Sequence, residues 1–101
     1  GAHPQYHNHI WAADFTEIRW LKRKIFLSTV IDLYTREIVG WAVMTNHAVP
    51  LIIQTLFVAL NRYGRPVIFH SDNGREYNSK IFIRALSEFG VQISRSHPGC
   101  P

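Results

Sequence analysis

Three runs of β-branched and aromatic residues follow one another near the start of the chain, and they constrain its fold more than any other feature. They read IWAADFTEIRW (residues 10–20), KIFLSTVIDLY (24–34) and EIVGWAVMT (37–45). Each run has the composition and length of a strand, and connections as short as those between them join antiparallel neighbours. The pattern therefore predicts three consecutive strands in an antiparallel meander.

A helix is predicted over residues 48–63, where apolar side chains recur at spacings of three and four. Pro50 suits the first turn of this helix, and Gly64 falls just beyond its end. A short apolar strand, residues 67–69, follows and stops at the turn-rich string HSDNG, residues 70–74.

A second helix follows, with Asn78 or Ser79 as its cap, an apolar stripe along one face and Gly90 at its end. Residues 91–94 form a last short strand. The order is β-β-β-α-β-α-β, and its strand-helix-strand part implies a right-handed parallel crossover. We therefore predict a mixed α/β sheet flanked by helices. The run 24–34 is apolar on both faces, which predicts that both of its faces are covered.

Composition limits the class of protein. The 101 residues suffice for one domain, and 47% apolar residues exclude disorder. We interpret residues 1–9 as a flexible tail, whose opening Gly1-Ala2 fits a cloning remnant, and residues 10–101 as the domain. The formal charge of +4 is a mild bias towards polyanions that does not identify nucleic acid by itself.

A single cysteine, Cys100, excludes an internal disulfide and a cysteine-rich zinc cage, and it indicates a reducing compartment. The sequence has neither an apolar run long enough to span a membrane nor a signal peptide at its start. We expect a soluble cytoplasmic protein with no membrane partner.

Two of the three aspartates occupy positions that a structural role explains poorly. Asp14 falls inside the first predicted strand, with the small residues Ala12 and Thr16 beside it on the same face. Asp72 follows residues 67–69, and ligands of such sheets bind beyond the carboxyl ends of parallel strands. Converging carboxylates repel unless a cation lies between them, and Mg²⁺ prefers such oxygen ligands. The alternatives are an ion pair for Asp14 and a plain turn role for Asp72.

Four strings, in this order, carry a family resemblance: WAADFT (residues 11–16), VIDLYTREIVGW (30–41), HSDNGREY (70–77) and SRSHPG (94–99). Together they resemble the catalytic core of bacterial insertion-sequence transposases, which are relatives of retroviral integrases. The resemblance implies a ribonuclease H-like fold, which agrees with the order of elements predicted above.

The resemblance also implies a function. In that family two aspartates and a glutamate bind two Mg²⁺ or Mn²⁺ ions, and the aspartates map by motif onto Asp14 and Asp72. The implied reactions are phosphodiester cleavage and strand transfer, with transposon ends and target DNA as partners and a homo-oligomer as the active form. The family's third acid falls past Pro101, so we expect residues 10–101 to be a partial core, truncated at its carboxyl end and inactive alone.

Nucleic-acid contacts are expected in two places. Thr16, His70, Asn73 and Gly74 lie beside the two aspartates in the matching motifs. Residues 22–24, the cations Lys22, Arg23 and Lys24, form a basic hairpin tip that could contact DNA phosphates. The alternatives are a solvated turn for the tip and a backbone-satisfied strand-end histidine for His70.

Other candidates receive ordinary interpretations. Glu76 is a secondary ligand candidate or braces its loop, and Glu88 lies on a solvated helix face. Asp32 is expected to cap a turn together with Arg36, and the letters His7-Asn8-His9 do not make a nuclease motif. Two alternative functions stay open: a non-catalytic, dimerising truncated remnant, and a ribonuclease H-like nuclease.

Overall fold

The computed structural model describes residues 3–45 and 48–96. Cys100 and residues 97–99 of the last motif lie outside this part. The described residues form a mixed sheet of order β3-β2-β1-β4-β5. Its elements are β1 (Ile10–Trp20), β2 (Arg23–Asp32), β3 (Ile38–Met44), α1 (Ala48–Tyr63), β4 (Ile68–Asp72), α2 (Lys80–Glu88) and β5 (Gln92–Ser96).

The antiparallel meander is confirmed. β1 has the predicted bounds and pairs with β2 along its length, and β2 pairs with β3. The β1–β2 connection has only two residues, Leu21 and Lys22, because Arg23 pairs with Trp20 and joins the ladder.

β4 is longer than the sequence predicts, and this corrects the placement of Asp72. The predicted strand stopped at Phe69, before a turn, but the residues 70–72 are strand. They pair in parallel with β5, with Asp72 opposite Ser96. Turn-forming residues stay extended here because backbone pairing to a neighbouring strand outweighs local preference.

Both helices pack on the same face of the sheet. The core joins Trp11, Val30 and Phe69 of the strands to Leu56 of α1 and Phe82 of α2. Ser79 caps α2 and accepts a hydrogen bond from the Phe82 amide, and Gly64 after α1 has a φ of +86°. Neither helix in the described ranges is long and apolar enough to span a membrane.

The prediction that β2 is covered on both faces is wrong for the part of the chain that the structure describes. Val30 is buried in the core beneath the helices, and Phe26 shares its face but is half-buried. Leu27 and Ile31 on the other face are also only half-buried. Trp41 and Val43 beside them on β3 are exposed. Apolar residues on both faces of a strand show that either face could be buried. In this structure α1 and α2 pack on only one face of β2.

Asp32 caps the turn after β2, as predicted. Its buried carboxylate accepts hydrogen bonds from the amides of Tyr34 (2.8 Å) and Thr35 (3.3 Å), and from the amide of Asn8 at 2.8 Å. Arg36 takes part through its backbone, because its N–H donates to the Asp32 carbonyl at 2.8 Å. Asn8 thereby joins the amino-terminal segment to the sheet.

Candidate metal and DNA site

Asp14 and Asp72 each lie two residues beyond the last paired position of the parallel strands β1 and β4. β1 and β4 pair in parallel from Ile10 and Ile68 to Ala12 and His70. The same register, continued by two residues, puts Asp14 opposite Asp72. Side chains two residues apart on a strand share a face, so both carboxylates project from the face opposite the helices. Both residues are exposed, and Asp14 Oδ1 accepts a hydrogen bond from the Phe15 amide at 2.9 Å.

The loop after β4 folds back against Asp72. The amide of Gly74 donates to Asp72 Oδ1 at 2.8 Å. A Cβ built on Gly74 would lie 2.7 Å from Asp72 Oδ1 and 3.2 Å from Glu76 Oε2. The carboxylates of Asp72 and Glu76 therefore border the small space that the missing side chain of Gly74 leaves.

Tyr77 lies beneath the acidic pair and is the buried polar group that the sequence did not single out. Its ring packs edge-on against Phe82 in the core, and it is 2% exposed. Its hydroxyl has no hydrogen-bond partner among the described residues. Burial raises the pKa of this phenol, and the charges of Asp72, Asp14 and Glu76 raise it further. The hydroxyl is therefore a neutral donor in the field of all three carboxylates.

Arg95 of β5 braces the loop from its other side. Its guanidinium donates to Ser71 Oγ at 2.9 Å, to Asn78 Oδ1 at 3.2 Å and to the carbonyl of Tyr77. Burial lowers the pKa of Arg95, and the charge of Asp72 acts in the opposite direction. A planar guanidinium has enough fixed donors to hold several points of one loop at once.

His70 lies next to the acids on the same face and is held by two serines of β5. Its Nδ1 is 2.9 Å from Ser94 Oγ, and its Nε2 is 2.7 Å from Ser96 Oγ. Because both ring nitrogens have partners, the ring is fixed beside Asp72. The sequence predicted a backbone hydrogen-bond partner for His70 as one alternative, and the structure instead has two serine hydroxyl groups in that role.

The other predicted site residues divide into two groups. Thr16 is two residues along β1 from Asp14, on the same face, and Asn73 accepts from Asn78 Nδ2 at 2.7 Å. Residues 22–24 lie at the far end of the β1–β2 hairpin, away from the acids. Lys24 forms an ion pair with Glu17 at 3.5 Å. The structure thus separates the basic tip from the acidic pair.

The two remaining acids differ in position. Glu76 adjoins Asp72, whereas Glu88 is exposed near the end of α2, as predicted. Within residues 3–45 and 48–96, no three His, Cys, Asp or Glu side chains converge in a way that could hold a metal ion.

The donor chemistry of the pair suits a hard divalent cation. Carboxylate oxygens are the ligands that Mg²⁺ and Mn²⁺ prefer, and two like charges at adjacent strand positions favour a cation between them. Asp14 and Asp72 are the residues that would hold it. The buried hydroxyl of Tyr77 has no partner among the described residues, and the charges of both aspartates act on the phenol.

Sequence reasoning missed Arg95 and Tyr77. Both belong to the quoted motifs, but their roles depend on the pairing of β5 with β4, which brings residue 95 opposite Ser71. For Arg95 the available signal was a charged residue inside the short strand that follows α2.

Comparison with known proteins identifies the family of the chain. Residues 4–101 match the family model of the integrase core domain. The chain is 35% identical over 95 residues to the transposase InsF for insertion sequence IS3A of Escherichia coli strain K12, covering 92% of this chain and 33% of that protein. It is 33% identical to the putative transposase InsK for IS150 of the same strain, covering 91% and 33%. The chain therefore spans about a third of the length of these curated relatives.

Solved structures show the same fold. The chain aligns with the simian T-cell lymphotropic virus intasome at a TM-score of 0.81 and 24% identity, covering 90% of this chain and 32% of that one. It aligns with the HTLV-2 integrase catalytic core domain, solved with magnesium in a dimeric form, at a TM-score of 0.78 and 22% identity, covering 88% and 61%. The sheet order, the family match and these alignments establish a ribonuclease H-like fold, and the chain belongs to the integrase core domain family.

Proposed function

We propose that this chain is the catalytic core of a DNA transposase, with Asp14 and Asp72 as ligands of a divalent metal. One observation carries the proposal: each of two carboxylates lies two residues beyond the last paired position of the parallel strands β1 and β4, on the face that the helices leave free. Membership of the integrase core family and the transposase names of its relatives support the same reading. The proposed reactions are cleavage of a phosphodiester at a transposon end and transfer of that end into target DNA.

The residues of this chain would have different roles in the site. The carboxylates of Asp14 and Asp72 would bind the cation, and Gly74 leaves the space that lets the loop approach them. The chemistry supplied by two bound divalent ions in the complete enzyme would be activation of the attacking oxygen and stabilisation of the leaving oxygen.

DNA would reach the acids across the open sheet face. Thr16 and His70 flank Asp14 and Asp72 on that face, and Asn73 and Gly74 border it from the loop. Because DNA carries dense negative charge, contacts of this kind position the strand while cations further out supply affinity.

We expect these 101 residues alone to bind metal weakly and to carry out no strand transfer, because no third ligand joins the pair within the described ranges. Calorimetric titration with Mn²⁺ tests the assignment. The wild-type chain should bind at one site, and Asp14→Asn and Asp72→Asn should each abolish the heat of binding. Glu88→Gln, a matched removal of an exposed carboxylate, should bind like the wild type. Equal binding by Asp14→Asn and the wild type would show that the pair is not the metal site.

A homo-oligomer is the second part of the proposal. Trp41, Val43 and Ile38 of the edge strand β3 are all more than half exposed. Apolar side chains grouped in this way favour burial against a second copy. Sedimentation of the wild type should show a dimer that Trp41→Arg dissociates, and a monomeric wild type would remove this part of the proposal.

A further inference from the structure

The tip of the β1–β2 hairpin combines exposed aromatic, aliphatic and cationic side chains. Trp20 is 64% exposed and Leu21 is 76% exposed, so neither stabilises the core. Between residues 19 and 24 the chain places four of its eleven Lys and Arg and no acid. The combination is unlike a simple solvated turn, whose side chains are small and polar.

The backbone of the turn adds a second observation. Leu21 and Lys22 have φ values of 51° and 65°. Two-residue hairpin turns with positive φ at both positions favour Asn-Gly, because other side chains are strained there. The chain keeps a leucine and a lysine at this local cost. Strain retained in a surface turn indicates that the side chains themselves are used.

The geometry also relates the tip to the acidic pair. Trp20 is six residues along β1 from Asp14, so both side chains project from the same face. At about 3.3 Å per residue, the two positions are about 20 Å apart. This corresponds to roughly six base pairs of DNA at 3.4 Å each.

Trp20 is not isolated at the tip. A shallow depression is lined by Trp20, Leu21, Arg23, Ile25 and Thr45, so an aromatic face and a guanidinium border one concave surface. Among the hairpin cations, Lys24 is paired with Glu17, whereas Lys22 and Arg23 form no ion pair with a described residue. Positive charge is therefore available beside the indole ring.

We propose that this hairpin tip is a second DNA contact, in which Trp20 stacks on an unstacked base while Lys22 and Arg23 bind the flanking phosphates. The inference rests on the proposed function for the identity of the ligand, since it takes the DNA held at Asp14 and Asp72 to extend along β1. Aromatic stacking beside cations is the chemistry by which proteins bind exposed bases with little sequence preference. A base exposed in this way belongs either to a single strand or to a locally opened duplex.

Fluorescence anisotropy with a labelled single-stranded oligonucleotide, a matched duplex and a duplex with a central mismatch, all in EDTA, tests the contact. We expect Trp20→Ala to weaken single-strand binding about tenfold, and Trp20→Phe to restore most of it. Tyr34→Ala is the matched control, since the Tyr34 side chain is 55% exposed but lies beyond the end of β2 that is opposite the hairpin tip. Tighter binding of the mismatched than of the matched duplex would identify opened duplex as a source of the base.

The salt dependence of Kd distinguishes the contribution of base stacking from that of phosphate contacts. Trp20→Ala should leave the slope of log Kd against log salt unchanged, whereas Arg23→Gln should reduce it by about one. DNA should also quench the fluorescence of Trp41→Phe as strongly as that of the wild type, and the quenching should disappear in Trp20→Phe. Circular dichroism checks that each variant is folded.

The two proposals fail separately. Unchanged Kd and unchanged quenching in the Trp20 variants would overturn the hairpin contact, whatever the metal titration gives. Equal weakening by Tyr34→Ala would overturn it too, because the contact would not belong to the tip. If the Trp20 effects are present but the wild type binds no Mn²⁺, the metal site is wrong and the hairpin contact stands.

Discussion

Asp72 and Gly74 are held against each other. The Gly74 amide donates to Asp72 Oδ1 at 2.8 Å, and a Cβ on residue 74 would lie 2.7 Å from the same oxygen. Real Cβ atoms do not approach an oxygen so closely, so any side chain at position 74 must displace the carboxylate or the loop. The glycine of this motif therefore controls where a proposed metal ligand lies.

Gly74→Ala should weaken Mn²⁺ binding about tenfold while changing the free energy of unfolding by less than about 1 kcal/mol, because the loop is near the surface. Calorimetry and urea denaturation on the same preparation measure both quantities. Wild-type affinity in the alanine variant would mean that the Asp72 carboxylate is not a ligand in its present position.

Arg95 should be a stabilising residue that lysine cannot replace. Its side chain donates to Ser71, Asn78 and the Tyr77 carbonyl, and its removal leaves the partly buried acceptors of Ser71 and Tyr77 without this donor. We expect Arg95→Ala to lower the free energy of unfolding by about 1 to 3 kcal/mol, and Arg95→Lys to recover less than half of it. Urea denaturation gives the values, and Arg84→Ala on the exposed side of α2 is the control. If Arg95→Lys had the same free energy of unfolding as the wild type, the role of Arg95 would not depend on its planar guanidinium group.

Asp32 should make stability depend on acid pH. Burial raises the pKa of its carboxyl, but hydrogen bonds from the amides of Asn8, Tyr34 and Thr35 and the charge of His7 outweigh burial, so the net pKa is lowered below 3.8. A carboxyl whose pKa is lower in the folded state binds fewer protons there. Its stabilisation is therefore complete above the unfolded pKa of about 3.9 and is lost as pH falls through the folded value.

Chemical denaturation of the wild type and Asp32→Asn between pH 2.5 and 7 checks this, with the pH range chosen to bracket a carboxyl pKa of about 4. The variant should be less stable by about 2 kcal/mol or more at neutral pH, since an amide cannot accept as many hydrogen bonds in this buried turn. The difference between the two proteins should shrink below about pH 4. A difference independent of pH would indicate that the cost comes from packing alone.

Gly40 should be intolerant of any side chain because α1 crosses β3 there. A Cβ on Gly40 would lie 2.8 Å from the Thr55 carbonyl oxygen and 3.0 Å from the Ala59 Cβ. Gly40→Ala should therefore cost about 1 to 3 kcal/mol by forcing the helix from the sheet, as overpacking does. Thermal denaturation measures the loss. Ala59→Gly in the same chain should partly relieve it, and no loss in Gly40→Ala would mean that α1 can shift without cost.

The meander and both helices could be predicted because each has a local signal, and the two aspartates could be singled out as candidates in the same way. β1 is specified by eleven residues of strand composition, α1 by its apolar spacing and Pro50, and α2 by the Ser79 cap. Asp14 stood out because an acid inside a strand lacks a local explanation. These features depend on residues close together in the chain.

The remaining features required the tertiary structure, since they depend on contacts between residues far apart in the chain. Pairing with β5 extended β4 through Asp72, brought Arg95 to the loop and placed two serines around His70. The open face of β2 likewise depended on where the helices pack. The sequence alone determined which elements form and which acids are candidates. The tertiary structure decided that Asp14 and Asp72 lie at the same end of a parallel strand pair, because the register of β1 with β4 brings together segments that are 58 positions apart in the chain.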